Sequence, residues 1–175
     1  ATGATGPTGP TGYDGRDGPT GPTGESGRST WTYSSENVTE LPNNEFVFDT
    51  TYGYMMSDQQ YPAVYCSSKP YIITSDSYMY LTTTDYGERH GFYYETNGNL
   101  SWYNSHSSPT VIGTWDSNTI TSITYDGNTI SYIVNNNVVA TETLTGYVFH
   151  FEIDSFNGSD FRNVVFGPIG NGPTG

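Results

Sequence analysis

Cationic side chains are scarce in this sequence: 5 lysines and arginines stand against 18 aspartates and glutamates, a formal net charge of -13. Phosphate binding needs a basic face, so nucleic acid is excluded as a partner, and anionic lipid surfaces with it. Long apolar runs are missing too. None approaches the roughly 18 residues of a membrane helix, so no membrane insertion is expected. No charged-then-apolar leader opens the chain, and no helical hydrophobic period runs through it. Cysteine is reduced to Cys66. It cannot close an intrachain disulfide, and within Ala63-Val64-Tyr65-Cys66 it reads as a small buried hydrophobe. No neighbouring base activates it as a nucleophile. The histidines are His90, His106 and His150, none at metal-ligand spacing, so no cofactor is expected. A Ca²⁺ site from Asp154, Asn157 and Asp160 is allowed by composition, but no loop motif supports it.

Glycine, by contrast, is abundant and periodic. Gly3, Gly6, Gly9, Gly12, Gly15, Gly18, Gly21, Gly24 and Gly27 fall on every third position. Three polyproline II chains wind together only when every third residue lacks a side chain, because that residue sits at the crowded axis. A flexible linker keeps no such phase. Residues 1–29 therefore read as a collagen-like stalk of a homotrimer, with those glycines on the triple-helix axis. Proline follows glycine directly, as in Gly6-Pro7-Thr8 and Gly9-Pro10-Thr11. The third triplet position carries no proline to hydroxylate, which points to a bacterial or viral source. The repeat returns as Gly167-Pro168-Ile169-Gly170, then shifts phase by one residue at Gly172 and Gly175. Residues 167–175 thus read as the start of a second stalk. With the repeat already in phase at its first residues, the chain reads as an internal segment of a longer fibre.

Residues 30–166 read as an all-β knob set between the two stalks. Strand-like runs include 46–48, 71–74, 78–82 and 92–94, at the spacing of a sandwich. The 16 tyrosines suit pleated surfaces. A double hairpin is the clearest unit. Residues 119–125 run into Asp126-Gly127, a favoured tight-turn pair. Residues 129–134 follow, Asn135-Asn136-Asn137 supplies a second turn, and 138–143 return. A region of this size can form one two-sheet core.

Two resemblances follow from these residues. The Gly-Pro-Thr segments resemble the stalks of bacterial spore-coat and giant-virus collagen-like proteins, which implies a virion, spore or cell surface. The segments 123–132, 136–140, 147–151 and 163–168 resemble concanavalin-type lectin and glucanase jelly rolls. That likeness implies a two-sheet jelly-roll sandwich inserted between collagen triple-helix segments. A tumour-necrosis-factor or complement-type jelly roll is the alternative, although such heads usually end their chains. Retaining glucanases of the concanavalin type carry Glu-Ile-Asp-x-Glu on one strand, and retention requires two carboxylates about 5–5.5 Å apart. The matching element here is Glu152-Ile153-Asp154-Ser155-Phe156, with Phe156 where the second glutamate belongs. No enzymatic activity is therefore expected, and Glu152 and Asp154 are read as lining the solvent face of a strand.

Aromatic rings stack on sugars, so the segment Leu100-Ser101-Trp102-Tyr103-Asn104 and the loop beyond it are the candidate glycan surface. Trp102, Tyr103 and His106 are its residues, joined by Glu88 and His90 from the charged loop 85–91. Core or interface packing is the competing role for Trp31, Trp102 and Trp115, and a solvated turn for His90. The sequence thus indicates a structural trimeric surface fibre whose knob registers and trimerises the stalk. An adhesin recognising host glycans is the alternative, and a glycoside hydrolase a distant third.

Overall fold

The structure, a computed structural model, describes residues 31–33, 37–49 and 51–169. The glycines from Gly3 to Gly27 lie outside the described residues, as does the phase break at 170–175. Among the described residues, fourteen strands form two seven-stranded antiparallel sheets, stacked as a jelly-roll sandwich. The front sheet contains β1 (Trp31–Tyr33), β4 (Gly53–Ser57), β6 (Ser77–Thr82), β7 (Arg89–Tyr94), β8 (Asn99–Asn104), β9 (Thr110–Thr114) and β13 (His150–Ser155). Its spatial order is β1-β4-β13-β6-β7-β8-β9. The back sheet contains β2 (Val38–Leu41), β3 (Glu45–Phe48), β5 (Val64–Ile72), β10 (Thr121–Tyr125), β11 (Thr129–Val134), β12 (Asn137–Thr143) and β14 (Asp160–Pro168). Its order is β12-β11-β10-β5-β14-β3-β2.

Alternation builds the core, since successive side chains of a strand point to opposite faces. Phe46 and Phe48 of β3, Met79 and Leu81 of β6, and Phe151 and Ile153 of β13 are all fully buried. Aromatic pairs join the layers. Phe151 of the front sheet stacks on Phe166 of the back sheet with centroids 6.0 Å apart, and Tyr94 meets Phe161 edge-on at 5.5 Å. Cys66 lies in this core with no exposed surface.

The double hairpin forms as its sequence dictates. Gly127 adopts φ 98°, while Asn135 and Asn136 adopt φ 49° and 67° at the second turn. Two boundaries differ from those expected. Of the run at 71–74 only 71–72 are strand, the end of β5, which begins at Val64. Pro70 lies within β5 opposite Phe161, beside a register shift between Asp160 and Phe161, and prolines in sheets favour such irregular positions. The second difference lies at the end of the knob: β14 continues past 166, pairing Gly167 with Tyr65 and Pro168 with Val64.

Candidate functional site

β13 places Glu152 and Asp154 together on the outer face of the front sheet, with Phe151 and Ile153 turned into the core. Register then gathers the neighbours. Tyr80 of β6 pairs with Glu152, Tyr78 with Asp154, and Tyr54 of β4 flanks Asp154 on its other side. Gly91 of β7 lies beside Tyr80, and Tyr103 of β8 lies beside Gly91. Gly91 is bare for a steric reason: a Cβ there would stand 2.0 Å from the Met79 carbonyl oxygen and 2.5 Å from Tyr80 Cβ. Without it the two strands close up and Tyr80 lies low in the sheet. The Arg89 guanidinium carbon then sits 5.4 Å from the ring centroids of both Tyr80 and Tyr86, within the reach of a cation–π contact.

Two adjoining hollows share Arg89. One, of about 280 Å³, is lined by Tyr52, Tyr54, Tyr86, Arg89 and Glu152. The other, of about 190 Å³, is lined by Tyr78, Tyr80, Arg89, Tyr103 and Asp154. Tyr78 also stacks on Tyr93, with centroids 4.6 Å apart and planes 19° apart.

The electrostatics of this face are set by burial. Glu152 is 4% exposed, and its carboxyl is pushed up to about 8, by burial first and then by the charge and hydrogen bond of Asp154. Arg89 and a hydrogen bond with Tyr80 oppose that rise. Burial and the neighbouring Asp154 and Glu152 raise the Tyr80 phenol, which stays protonated and donates to Asp154 Oδ2. Three buried polar atoms converge here without a hydrogen-bond partner among the described residues: Glu152 Oε2, Asp154 Oδ1 and Arg89 Nε. Buried polar atoms are nearly always paired, so this cluster makes the face the candidate site.

The residues expected to hold glycan are dispersed. Tyr103 lies on this face. Trp102 turns the other way, packing against the core with its ring 5.4 Å from Tyr132. Both belong to strand β8, and the loop expected beyond it follows at 105–108. His90 is not a solvated turn residue. It belongs to β7, is 2% exposed, and points between the sheets. Its Nδ1 lies 2.9 Å from Glu142 Oε2 and its Nε2 lies 3.1 Å from Glu88 Oε2. Glu88 also meets His106 Nε2 at 2.9 Å, while Tyr132 and Asn104 donate to Glu142. Burial pushes Glu88 upward, but hydrogen bonds from His106 and His90 hold it below its usual value. For Glu142, bonds from His90, Tyr132 and Asn104 likewise outweigh burial. His90 and Asn104 tie β7 and β8 to Glu142 of β12, while Glu88 links His90 to His106 on the front-sheet side. Trp115 is half-buried and donates from Nε1 to the Glu95 carbonyl at 2.9 Å.

The expectation that Glu152 faces solvent is also corrected, because tyrosines and Arg89 cover it. The Ca²⁺ candidates take separate partners. Asp154 accepts from Tyr80, Asp160 accepts from Arg162 at 3.0 Å, and Asn157 occupies a left-handed turn at φ 53°. No group of three histidine, cysteine, aspartate or glutamate side chains among the described residues is arranged to hold a metal ion. Sequence alone did not single out Arg89, Tyr54 or Tyr80. The signal for them was alternation: Tyr78 and Tyr80 alternate with Met79 and Leu81, and Arg89 and Gly91 with His90 and Phe92.

Sequence comparison finds no matching family and no curated relative. Solved structures do match. A carbohydrate-binding module, CBM66 from Bacillus subtilis, aligns with TM-score 0.57 at 11% identity, over 79% of this chain and 96% of that one. The ligand-free Crh5 transglycosylase aligns with TM-score 0.62 at 11% identity, over 82% and 79% of the two chains. The Bacillus licheniformis β-glucanase aligns with TM-score 0.58 at 13% identity, over 83% and 94%. At these identities the likeness is one of fold: the chain shares the jelly-roll sandwich of carbohydrate-binding modules and β-glucanases.

Proposed function

We propose that this protein binds glycans through the outer face of its front sheet, and that a three-chain collagen-like stalk displays it at a virion, spore or cell surface. The observation carrying the proposal is the convergence of Glu152 Oε2, Asp154 Oδ1 and Arg89 Nε, buried and unpartnered among the described residues, between tyrosine rings. A sugar offers hydroxyls that both donate and accept, together with a C–H face that packs on aromatic rings. At neutral pH Glu152 retains its proton, so the positive Arg89 is left to balance Asp154. A face so nearly neutral suits uncharged sugars. The structural neighbours support this reading through their fold, and one, a Crh5 transglycosylase, was solved in complex with NAG. The glycine repeat supports the stalk, and three sites on one fibre would gain avidity.

The test is a glycan array probed with the 175-residue chain, followed by calorimetric titration of the best hit. Binding weakened at least tenfold by Arg89→Ala supports the proposal. No signal above background on any neutral glycan overturns it.

Hydrolysis is the second reading, favoured by the raised carboxyl of Glu152 beside Asp154, since pairs whose values are driven apart suit acid and base roles. Against it stands Phe156, which leans on Tyr52 with centroids 5.1 Å apart and brings no carboxylate. We expect no reducing sugar to be released from β-glucans. Release abolished by Glu152→Gln would establish an enzyme instead.

A further inference from the structure

The outer face of the back sheet differs in character from the front. Across β11, β10, β5 and β14, register aligns Ile133, Ser122, Ser67 and Val165 in one row, with Ser131 and Thr124 in the next. No carboxylate interrupts these rows, although acidic residues outnumber basic ones by 18 to 5 in the chain. Ser67 and Ser122 are each only 7% exposed, and their hydroxyls are already satisfied: Ser122 Oγ bonds Ser67 Oγ at 3.0 Å, and Ser67 Oγ donates to the Thr121 carbonyl at 3.2 Å. Dehydrating these two serines therefore leaves neither hydroxyl unpaired. Apolar area is available for burial, with Val165 and Ile169 each 45% exposed.

We propose that this face is the contact between copies of the chain in the trimer, an inference that rests on the three-chain stalk above. Two arguments choose the occupant. Chains of such strong negative charge repel one another, and they approach at least cost through rows that carry no carboxylate; the nearest, Glu45 and Asp160, are held by Arg162. β14, the last strand of these rows, also leads directly into the second glycine-rich segment, and the Ile169 N–H is tied to the Ala63 carbonyl at 3.2 Å. Three copies can share a triple helix beyond residue 169 only if the C-terminal ends of their β14 strands lie near one axis, which brings Val165 and Ile169 toward that axis.

The test uses the full chain and two variants, Thr124→Glu/Ser131→Glu and Val165→Glu, with Thr110→Glu on β9 as control. Each is examined by light scattering, by its dissociation temperature and by circular dichroism. The expected result is a three-chain mass for the wild type and the control. In at least one face variant that keeps the wild-type β spectrum, the trimer should dissociate or melt several degrees lower. Face variants that all keep the wild-type mass and dissociation temperature overturn this face and leave the stalk standing. A single-chain mass for the wild type overturns both the stalk and the face.

Discussion

Tyr80 donates its phenolic hydrogen to Asp154 Oδ2 diagonally across the β6–β13 pairing. A hydrogen bond of this kind is strongest to an ionised carboxylate, and negative charge fixed there favours the protonated form of Glu152. The linkage follows from burial and that charge, which together raise Glu152 from 4.5 to about 8. Below the ordinary value both folded and unfolded chains hold the proton. Between that value and about 8 only the folded chain holds it, so stability falls as pH rises through this window and levels off above it. Glu152→Gln lacks the titration. Its melting temperature should gain on the wild type between about pH 5 and pH 8, as thermal melts across that range would show.

Arg89 faces Tyr80, Tyr86, Glu152 and Asp154 at once. Arg89→Lys keeps the charge but loses the planar stack. It should retain folding and most of the charge balance while weakening glycan binding by an intermediate amount. Titration of the wild type, Arg89→Lys and Arg89→Ala with one glycan would rank the three.

Gly91 admits no side chain. Gly91→Ala should destabilise the fold by about 3 kcal/mol or more, the upper range for overpacking, because the colliding atoms are backbone and Cβ atoms rather than flexible tips. Gly113, where an added Cβ would meet nothing within 4 Å, is the control. Gly113→Ala should change stability by no more than about 0.5 kcal/mol. Chemical denaturation of both variants measures the difference.

His90 reaches two carboxylates from the space between the sheets. His90→Ala takes from Glu142 and Glu88 the hydrogen-bond partner they share and should cost about 1–3 kcal/mol. The two glutamates titrate below their usual value in the folded state. Their contribution is present above the unfolded value and disappears as pH falls through the folded one. Acid denaturation of the wild type should therefore be steeper than that of His90→Ala.

Cys66 has no exposed surface, and burial pushes its thiol upward. A thiol reagent should leave the native protein unmodified and react with one equivalent per chain after denaturation. Reaction at native rates typical of a free thiol would show that the core opens.

Much of the back sheet was legible in the sequence, because its hairpins are local. Asp126-Gly127 and the asparagines at 135–137 announce their turns through the residues that tolerate left-handed backbone. Glu152 and Asp154 were placed on one face by alternation alone. Their surroundings were not legible, because Tyr80, Arg89 and Tyr103 reach them through the register of strands distant in sequence, and register has no local signature. Loop 85–91 misled for a related reason: its charges suggested solvent, yet β7 begins at Arg89 and turns His90 inward.

The placement of β13 between β4 and β6 has a consequence for how the protein comes into being. Its partners lie far back along the chain, with Glu152 paired to Met56 and His150 to Thr82. Such distant pairings are the slow ones in folding, whereas β10, β11 and β12 can zip as they emerge from the ribosome. The meander β6-β7-β8, which carries Tyr80, Arg89 and Tyr103, can pair early, but Glu152 and Asp154 join it only when β13 arrives. The outer face of the front sheet is therefore complete only when nearly the whole knob has been synthesised.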